Sequence, residues 1–325
     1  MSGEIDVSFV VIAYNEAENI SRTLGTISGL AGVGPYEIIV VNDGSRDRTG
    51  EIVAEIAARD QCVRLINLDV NHGRGYARSV GIAAALGELI ATVDADIILP
   101  PDWMARARTA LNGYDAVGGT AVPDGDAAYL HRRFRLVPRL VGHAATVTGS
   151  NALYRRRVFD TVGFDPSLRD GEDIALNHAI KRHGLSAATV PGLVVQHVES
   201  KTLAASLRWL FVSGRSATWQ LVAYRKIRVP DLAAGSLVGA VILGLVTARR
   251  QPTAALILPV AVTVAASTQH VRSRFETPWS QWARVVPAIA VDSALLTAYF
   301  AGRIAGVATI CRRRSSIGTR TGSFS

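Results

Sequence analysis

A chain of 325 residues, 49% of them hydrophobic and only 19% charged, holds one large domain plus a smaller appendage and is lean in charge for a wholly soluble enzyme. The two cysteines, Cys62 and Cys311, match no metal or disulfide spacing, which excludes a disulfide-stapled secreted domain and points to a reducing compartment. The net charge of +8 is unevenly placed: after Asp231 only Glu276 and Asp292 are acidic, and because that region is also the most apolar, an anionic membrane rather than nucleic acid is the expected partner.

The N-terminal run MSGEIDVSFVVIAYNE has no basic leader and meets polar residues too soon for a signal peptide, so the catalytic portion is expected on the cytoplasmic side of the cell membrane. From Ser8 to about Val195, short β-branched runs alternate with helical stretches, the pattern of an α/β domain with a mostly parallel sheet. SFVVIA (8–13) reads as a first strand, followed by a helix from about Glu16 to Ser28. EIIVVN (37–42) is a second strand, with a turn at Asp43-Gly44-Ser45 and a helix near 47–59. VRLINL (63–68) is a third strand, and after a loop at 71–75 a helix runs to about Leu86. ELIATVDAD (88–96) is a fourth strand that ends in acids. In open α/β sheets ligands bind beyond the carboxyl ends of strands, and these strands deliver Asn15, Glu16, Asp43, Arg74, Asp94 and Asp96 there.

Downstream, 201–230 reads as an amphipathic interfacial helix. Lys201, Arg208, Arg215 and Lys226 lie along one stripe, with Leu203, Leu207, Leu210, Ala217 and Leu221 opposite. The region 231–311 is read as membrane-embedded, with two to three helices: Leu232–Ala248 and Thr253–Thr268 are short for a span, whereas Val285–Ile310 is long enough although Asp292 and Arg303 interrupt it. If the first two both cross, Arg249-Arg250 at their tip lies outside, against the positive-inside tendency, whereas a re-entrant hairpin keeps those arginines cytoplasmic; both topologies stay open. The basic tail 312–325 is expected to be disordered.

The sharpest local signal is Asp94-Ala95-Asp96. In extended backbone, residues i and i+2 point to the same side, so two carboxylates converge on one ion. Hard oxygen ligands suit Mg²⁺ or Mn²⁺, which neutralises charge on a diphosphate leaving group. His197, after the run LVVQ, is a candidate third ligand, the alternative being simple packing. Asp43 is either part of a turn ahead of a helix or an acceptor for a base N–H, and Arg74 and Arg78 are placed to meet phosphate or base. Gly73-x-Gly75 lacks the third glycine of a dinucleotide fingerprint. Asp170-Gly171-Glu172-Asp173 opens a helix, where Asp170 and Asp173 resemble a capping box; the chemical reading makes Asp173 a general base, provided an apolar site offsets the helix N-terminus.

Taken together, VVIAYNEAENI (10–20), EIIVVNDGSRDRT (37–49), NHGRGYARSVGI (71–82), IATVDADI (90–97), TGSNALYRRRVFDTVGFD (148–165) and GEDIALNHAIKRHG (171–184) resemble family 2 glycosyltransferases of the GT-A fold, over roughly residues 1–200. The resemblance implies a nucleotide-diphosphate-sugar donor, with Asp43 contacting its base and Tyr14, Glu16 and Arg74 lining the nucleotide pocket. It assigns the metal and diphosphate to Asp94 and Asp96, and it makes Asp173, beside Glu172, the base of an inverting single displacement. Two departures are visible: Ser79 follows Arg78 where the family often has Asn, and Arg208-Trp209 is preceded by Ala205 rather than the Gln of processive synthases. The expected reaction is sugar transfer to a hydroxyl of a lipid-linked or membrane-proximal glycan in cell-envelope polysaccharide synthesis. The alternatives are a polyprenyl-phosphate sugar synthase and a non-catalytic scaffold that binds sugar nucleotides.

Overall fold

The computed structural model describes residues 5–123, 126–138, 147–198, 202–225 and 252–318, with scattered positions between 236 and 246. The backbone divides into two units, one of 1–124 with 140–199, the other of 125–139 with 200–325. The first unit is therefore interrupted, its insert belonging to the second.

The first unit is built on strands β1 (Val7–Ala13), β2 (Tyr36–Asn42), β3 (Val63–Asn67) and β4 (Leu89–Asp94), joined in parallel in the order β3-β2-β1-β4. All seven residues of β1 are buried. That is why the run is continuously apolar rather than alternating: a parallel strand is covered on both faces. The covering helices are α1 (Ile20–Ser28), α2 (Thr49–Ala57) and α3 (Arg74–Ala84). Register brings the carboxyl ends level, with Ala13 opposite Asn42 and Ile12 opposite Asp94, so Asp43 just past β2 and Asp94 at the end of β4 flank the end of β1.

Beyond β4 the sheet becomes mixed. It continues with β5 (Ile97–Ile98), α4 (Trp103–Leu111) and β6 (Ala116–Val122), and then, past a segment of the other unit that includes helix α5 (Asp126–Phe134), with β7 (Asn151–Arg155), α6 (Arg156–Thr161), α7 (Glu172–Arg182) and β8 (Ala187–His197). β7 runs antiparallel to both β4 and β6, which pairs in parallel with β8, and β8 is antiparallel to β5. Trp103 is fully buried behind this half and donates its indole N–H to Asn151 Oδ1 at 2.7 Å. That bond satisfies both buried polar groups.

α1 and α2 start later than the sequence pattern suggests, because side chains hold the preceding loops, whereas α3 starts at Arg74, inside the expected 71–75 loop. Ser45 Oγ accepts from Asn15 N–H, Thr49 Oγ1 from Glu16 N–H and Asp47 Oδ2 from Ala17 N–H. The chain from Tyr14 to Asn19 is thus a fixed loop, and α1 begins at Ile20 rather than Glu16.

The second unit is helical: α5, α8 (Leu203–Tyr224), α9 (Pro252–Arg274) and α10 (Trp282–Gly318). Leu130, Leu136, Leu210, Val271, Phe275, Leu295 and Tyr299 form its core. α8 and α10 touch backbone to backbone: a Cβ at Gly302 would run into the Phe211 carbonyl, and one at Gly214 into that of Tyr299. Small residues permit that approach. α8 buries Ser206, Leu210, Ser213, Ala217 and Thr218, but Leu221 is exposed along with Phe211, Val212 and Val222, so the outward face mixes these with Arg208 and Arg215 instead of being purely basic. Asp292, read as an interruption, is 1% exposed and meets His270 Nδ1 at 2.8 Å. Among the described residues one helix is long and apolar enough to cross a membrane by length and composition, Trp279–Ala308. α10 runs on to Gly318, into the tail expected to be disordered, because no breaker interrupts Arg312–Ile317. The expected stretch Leu232–Ala248 (but for scattered positions), Arg249-Arg250, Lys201, Lys226 and the last seven positions (319–325) lie outside the described residues.

Candidate active site

The site assembles at the carboxyl end of the parallel half-sheet. Asp43 follows β2 directly and is 4% exposed. Its Oδ1 accepts from His72 N–H at 2.8 Å, and its Oδ2 from Gly73 N–H at 2.8 Å and Asn71 Nδ2 at 2.9 Å. The carboxylate, expected to meet a base, also fixes the loop that launches α3. Tyr14 stands beside it on the β1 loop, 43% exposed, and Glu16 accepts from Asn19 Nδ2 at 2.9 Å.

The glycines of the 71–75 loop serve close approach. Gly73 has φ +100°, and a Cβ there would strike Arg169; one at Gly75 would strike the carbonyls of Asp165 and Leu168. With Gly75 N–H bonded to Leu168 O at 3.0 Å, the start of α3 is seated on the 165–169 loop. That loop leads to Gly171, left-handed at φ +79°, and so into α7. Gly171 is the N-cap of α7, with no side-chain cap bond, so the expected capping box of Asp170 and Asp173 does not form. Asp170 instead faces Arg74 Nη1 at 3.8 Å.

Arg78, expected to reach phosphate or base, is turned inward and is 2% exposed. Its Nη2 donates to Asp94 Oδ1 at 2.6 Å and its Nη1 to Glu172 Oε1, while its guanidinium carbon lies 5.5 Å from the centre of the Phe164 ring. A Cβ at Gly149 would come within 2.6 Å of that carbon, so glycine makes room for the planar group. Burial opposes the arginine's charge, but Asp94 and Glu172 outweigh it and raise its pKa.

Glu172 and Asp173 divide the start of α7 between them. Glu172 is 3% exposed, and burial, reinforced by Asp173 and opposed by Arg78, pushes its carboxyl up to about 7. Asp173 is half-buried; burial is also the main cause raising its pKa, Asp170 adds to it, and Arg78 and the Ile174 N–H oppose it. The direction is the one a general base requires, since burial prevails over the helix N-terminus.

Of the expected metal set, two residues meet. Asp96 Oδ2 and His197 Nε2 are 2.8 Å apart, brought together because β5 pairs with the end of β8, Ile97 lying opposite His197 and Val198 N–H bonding to Asp96 O. Asp94 does not complete a trio, its Oδ1 being held by Arg78. No group of three or more His, Cys, Asp or Glu side chains among the described residues is arranged to hold a metal ion. The chemistry of the Asp96–His197 pair, one hard oxygen and one imidazole, nevertheless suits Mn²⁺ or Mg²⁺ completed by other oxygens. Sequence reasoning passed over Asn71, Phe164 and Gly149, whose parts depend on contacts between distant segments.

A strand-end acid set on a parallel half-sheet, with a carboxyl pair on an adjoining helix, is the arrangement that the resemblance to GT-A glycosyltransferases implies. Residues 8–163 match the family described as Glycosyl transferase family 2. The succinoglycan biosynthesis protein ExoO of Rhizobium meliloti (strain 1021) is 35% identical over 229 residues, which cover 62% of this chain and 64% of that protein. The undecaprenyl-phosphate 4-deoxy-4-formamido-L-arabinose transferase of Pseudomonas paraeruginosa (strain DSM 24068 / PA7) is 32% identical over 201 residues, covering 55% of this chain and 59% of that protein. The chain thus spans about three fifths of the length of these curated relatives. Among solved structures, the mannosyltransferase PcManGT from Pyrobaculum calidifontis, in complex with GDP-Man and Mn²⁺, superposes with a TM-score of 0.59 at 20% identity, covering 94% of this chain and 88% of that one, and shares the fold.

Proposed function

We propose that the protein is a membrane-attached inverting glycosyltransferase that moves a sugar from a nucleotide-diphosphate donor to a hydroxyl of a lipid-linked or membrane-proximal glycan. The observation that carries this reading is the pair at the start of α7: Glu172 is bound to Arg78, while Asp173 beside it is half-buried with a raised pKa. A carboxylate so placed takes the proton of an attacking hydroxyl. The acceptor oxygen then bonds to the anomeric carbon as the bond from that carbon to the diphosphate breaks, and the nucleoside diphosphate leaves with the electron pair.

Asp96 and His197 would hold the divalent cation, which when bound supplies positive charge to the leaving diphosphate. Support for such an ion comes from the Mn²⁺ in the PcManGT complex and from the donor set itself. Tyr14, Glu16 and Arg74 are proposed to line the nucleotide pocket, with Asp43 meeting the donor base and holding the loop beside it. Attachment to the cell membrane rests on the Trp279–Ala308 helix and on the exposed apolar face of α8 flanked by Arg208 and Arg215.

A second reading, transfer to polyprenyl phosphate, is favoured by the name of the Pseudomonas relative. A phosphate acceptor is already ionised and requires no base, so Asp173 separates the two. The test is nucleoside-diphosphate release by the detergent-purified chain from UDP-, GDP- and dTDP-sugars, with Mn²⁺, Mg²⁺ or EDTA, and with membrane lipid extract as acceptor source. Metal-dependent release from one donor, raised by the extract, is expected; absence of release and of binding for every donor contradicts the reading.

A further inference from the structure

Arg78 joins the end of β4 to the start of the helix that carries Asp173. Nη2 is bonded to Asp94 at the end of β4, and Nη1 to Glu172 at the start of α7, positions 78 residues apart in the chain. The guanidinium sits in a built pocket, with Phe164 on one side and the backbone of Gly149 packed against it where any side chain would collide. The other oxygen of Glu172, Oε2, is buried with no hydrogen-bond partner among the described residues. A carboxyl in that state costs stability, a cost consistent with a position kept for function.

We infer that Arg78 is a positioning residue, a clamp that sets the distance between the donor-binding end of β4 and the helix that carries Asp173, and that Glu172 acts through this clamp and touches no substrate. A guanidinium suits the task because its rigid fork addresses two carboxylates in fixed directions, which an ammonium cannot do. The clamp also gives Asp94 a buried countercharge and Glu172 a charged donor, so that the two acids share one partner. Removing either acid deprives the arginine of half its anchorage and loosens the other contact. The kinetic consequence rests on the transferase reading above. Glu172 should govern how fast the sugar moves, through the placement of Asp173, and leave the grip on the donor alone.

The test is a double-substitution cycle on the full chain in detergent, with Asp94→Asn, Glu172→Gln and the two combined. Both replacements keep shape and hydrogen-bonding capacity, which limits the risk of unfolding. Melting temperature without any ligand is the first readout, and it needs no donor. A clamp predicts that the double variant melts within about 2 °C of the worse single one, because the second loss falls on a contact already loosened. Melting shifts that add overturn the clamp. The second readout is kinetic, at saturating donor. Glu172→Gln is expected to lower kcat about tenfold with donor Kd changed by less than about twofold, and Arg78→Lys to keep the protein folded without restoring kcat. An unchanged kcat in Glu172→Gln, or full activity in Arg78→Lys, overturns it as well. If no sugar nucleotide is bound or consumed by the unaltered chain while the melting shifts fail to add, the transferase reading falls and the clamp stands. If turnover is robust and the shifts add, the clamp alone falls.

Discussion

Asp96 and His197, a hundred and one residues apart, meet at 2.8 Å through Oδ2 and Nε2 because β5 and β8 pair at the edge of the sheet. The contact forms where two backbone segments are already hydrogen-bonded, Val198 N–H to Asp96 O, so the imidazole is held against the acid by main chain rather than by a mobile loop. This oxygen and nitrogen are the donors proposed to hold a divalent cation.

The first prediction concerns that pair. His197→Ala should raise the Mn²⁺ concentration needed for half-maximal activity about tenfold or more, with activity recoverable at high metal. Asp96→Asn should nearly abolish turnover at any metal concentration. A metal titration of the two variants checks both, and unaltered metal dependence in either removes the assignment.

A second prediction follows from the raised pKa of Glu172. In the folded protein its carboxyl holds the proton up to about pH 7, whereas its ordinary value is 4.5. A group whose pKa rises on folding contributes stability that is complete below the unfolded value and is lost as pH rises through the folded one. The melting temperature of the parent chain relative to Glu172→Gln should therefore fall steadily between pH 4.5 and about 7 and then level off. A flat difference across that window would mean that Glu172 is ionised throughout.

The third prediction lies in the helical unit. A Cβ at Gly302 would collide with the Phe211 carbonyl, and one at Gly306 would come within 2.6 Å of Thr218 Oγ1 and 2.8 Å of Arg215 O. Gly302→Val must push α8 and α10 apart and should cost about 2 kcal/mol or more, seen as a lower melting temperature in detergent. Gly239→Val serves as the control, since nothing lies within 4 Å of its added Cβ. Equal melting temperatures for the two variants would contradict the packing.

Much of the first unit was legible because its signals are local. β1 to β4 appear in the sequence as β-branched runs, and each ends where the chain changes from apolar to acidic or turn-forming residues, so Asp43, Asp94 and Asp96 fall at strand ends by inspection. What remained hidden depends on contacts between distant segments. Arg78 resembles any arginine on an exposed helix until Phe164, Gly149 and Glu172 are seen to enclose it. Asp170 has the spacing of a cap, yet the left-handed Gly171 takes that position and turns the acid toward Arg74. The antiparallel insertion of β7 between β4 and β6 leaves no trace in periodicity, since Asn151–Arg155 has the same composition whichever way it runs. Similarly, the exposed apolar residues of α8 can be told from its buried ones only once α10 is packed against it.

The central claim is that Asp173 is the base for a hydroxyl acceptor, and the most direct measurement compares kcat with donor Kd in Asp173→Asn. The account predicts a fall in kcat of about 10²-fold or more with donor affinity essentially unchanged, since an amide keeps the shape but cannot take the proton. A variant that binds donor normally and retains its rate would contradict the claim and point to an acceptor that arrives already ionised.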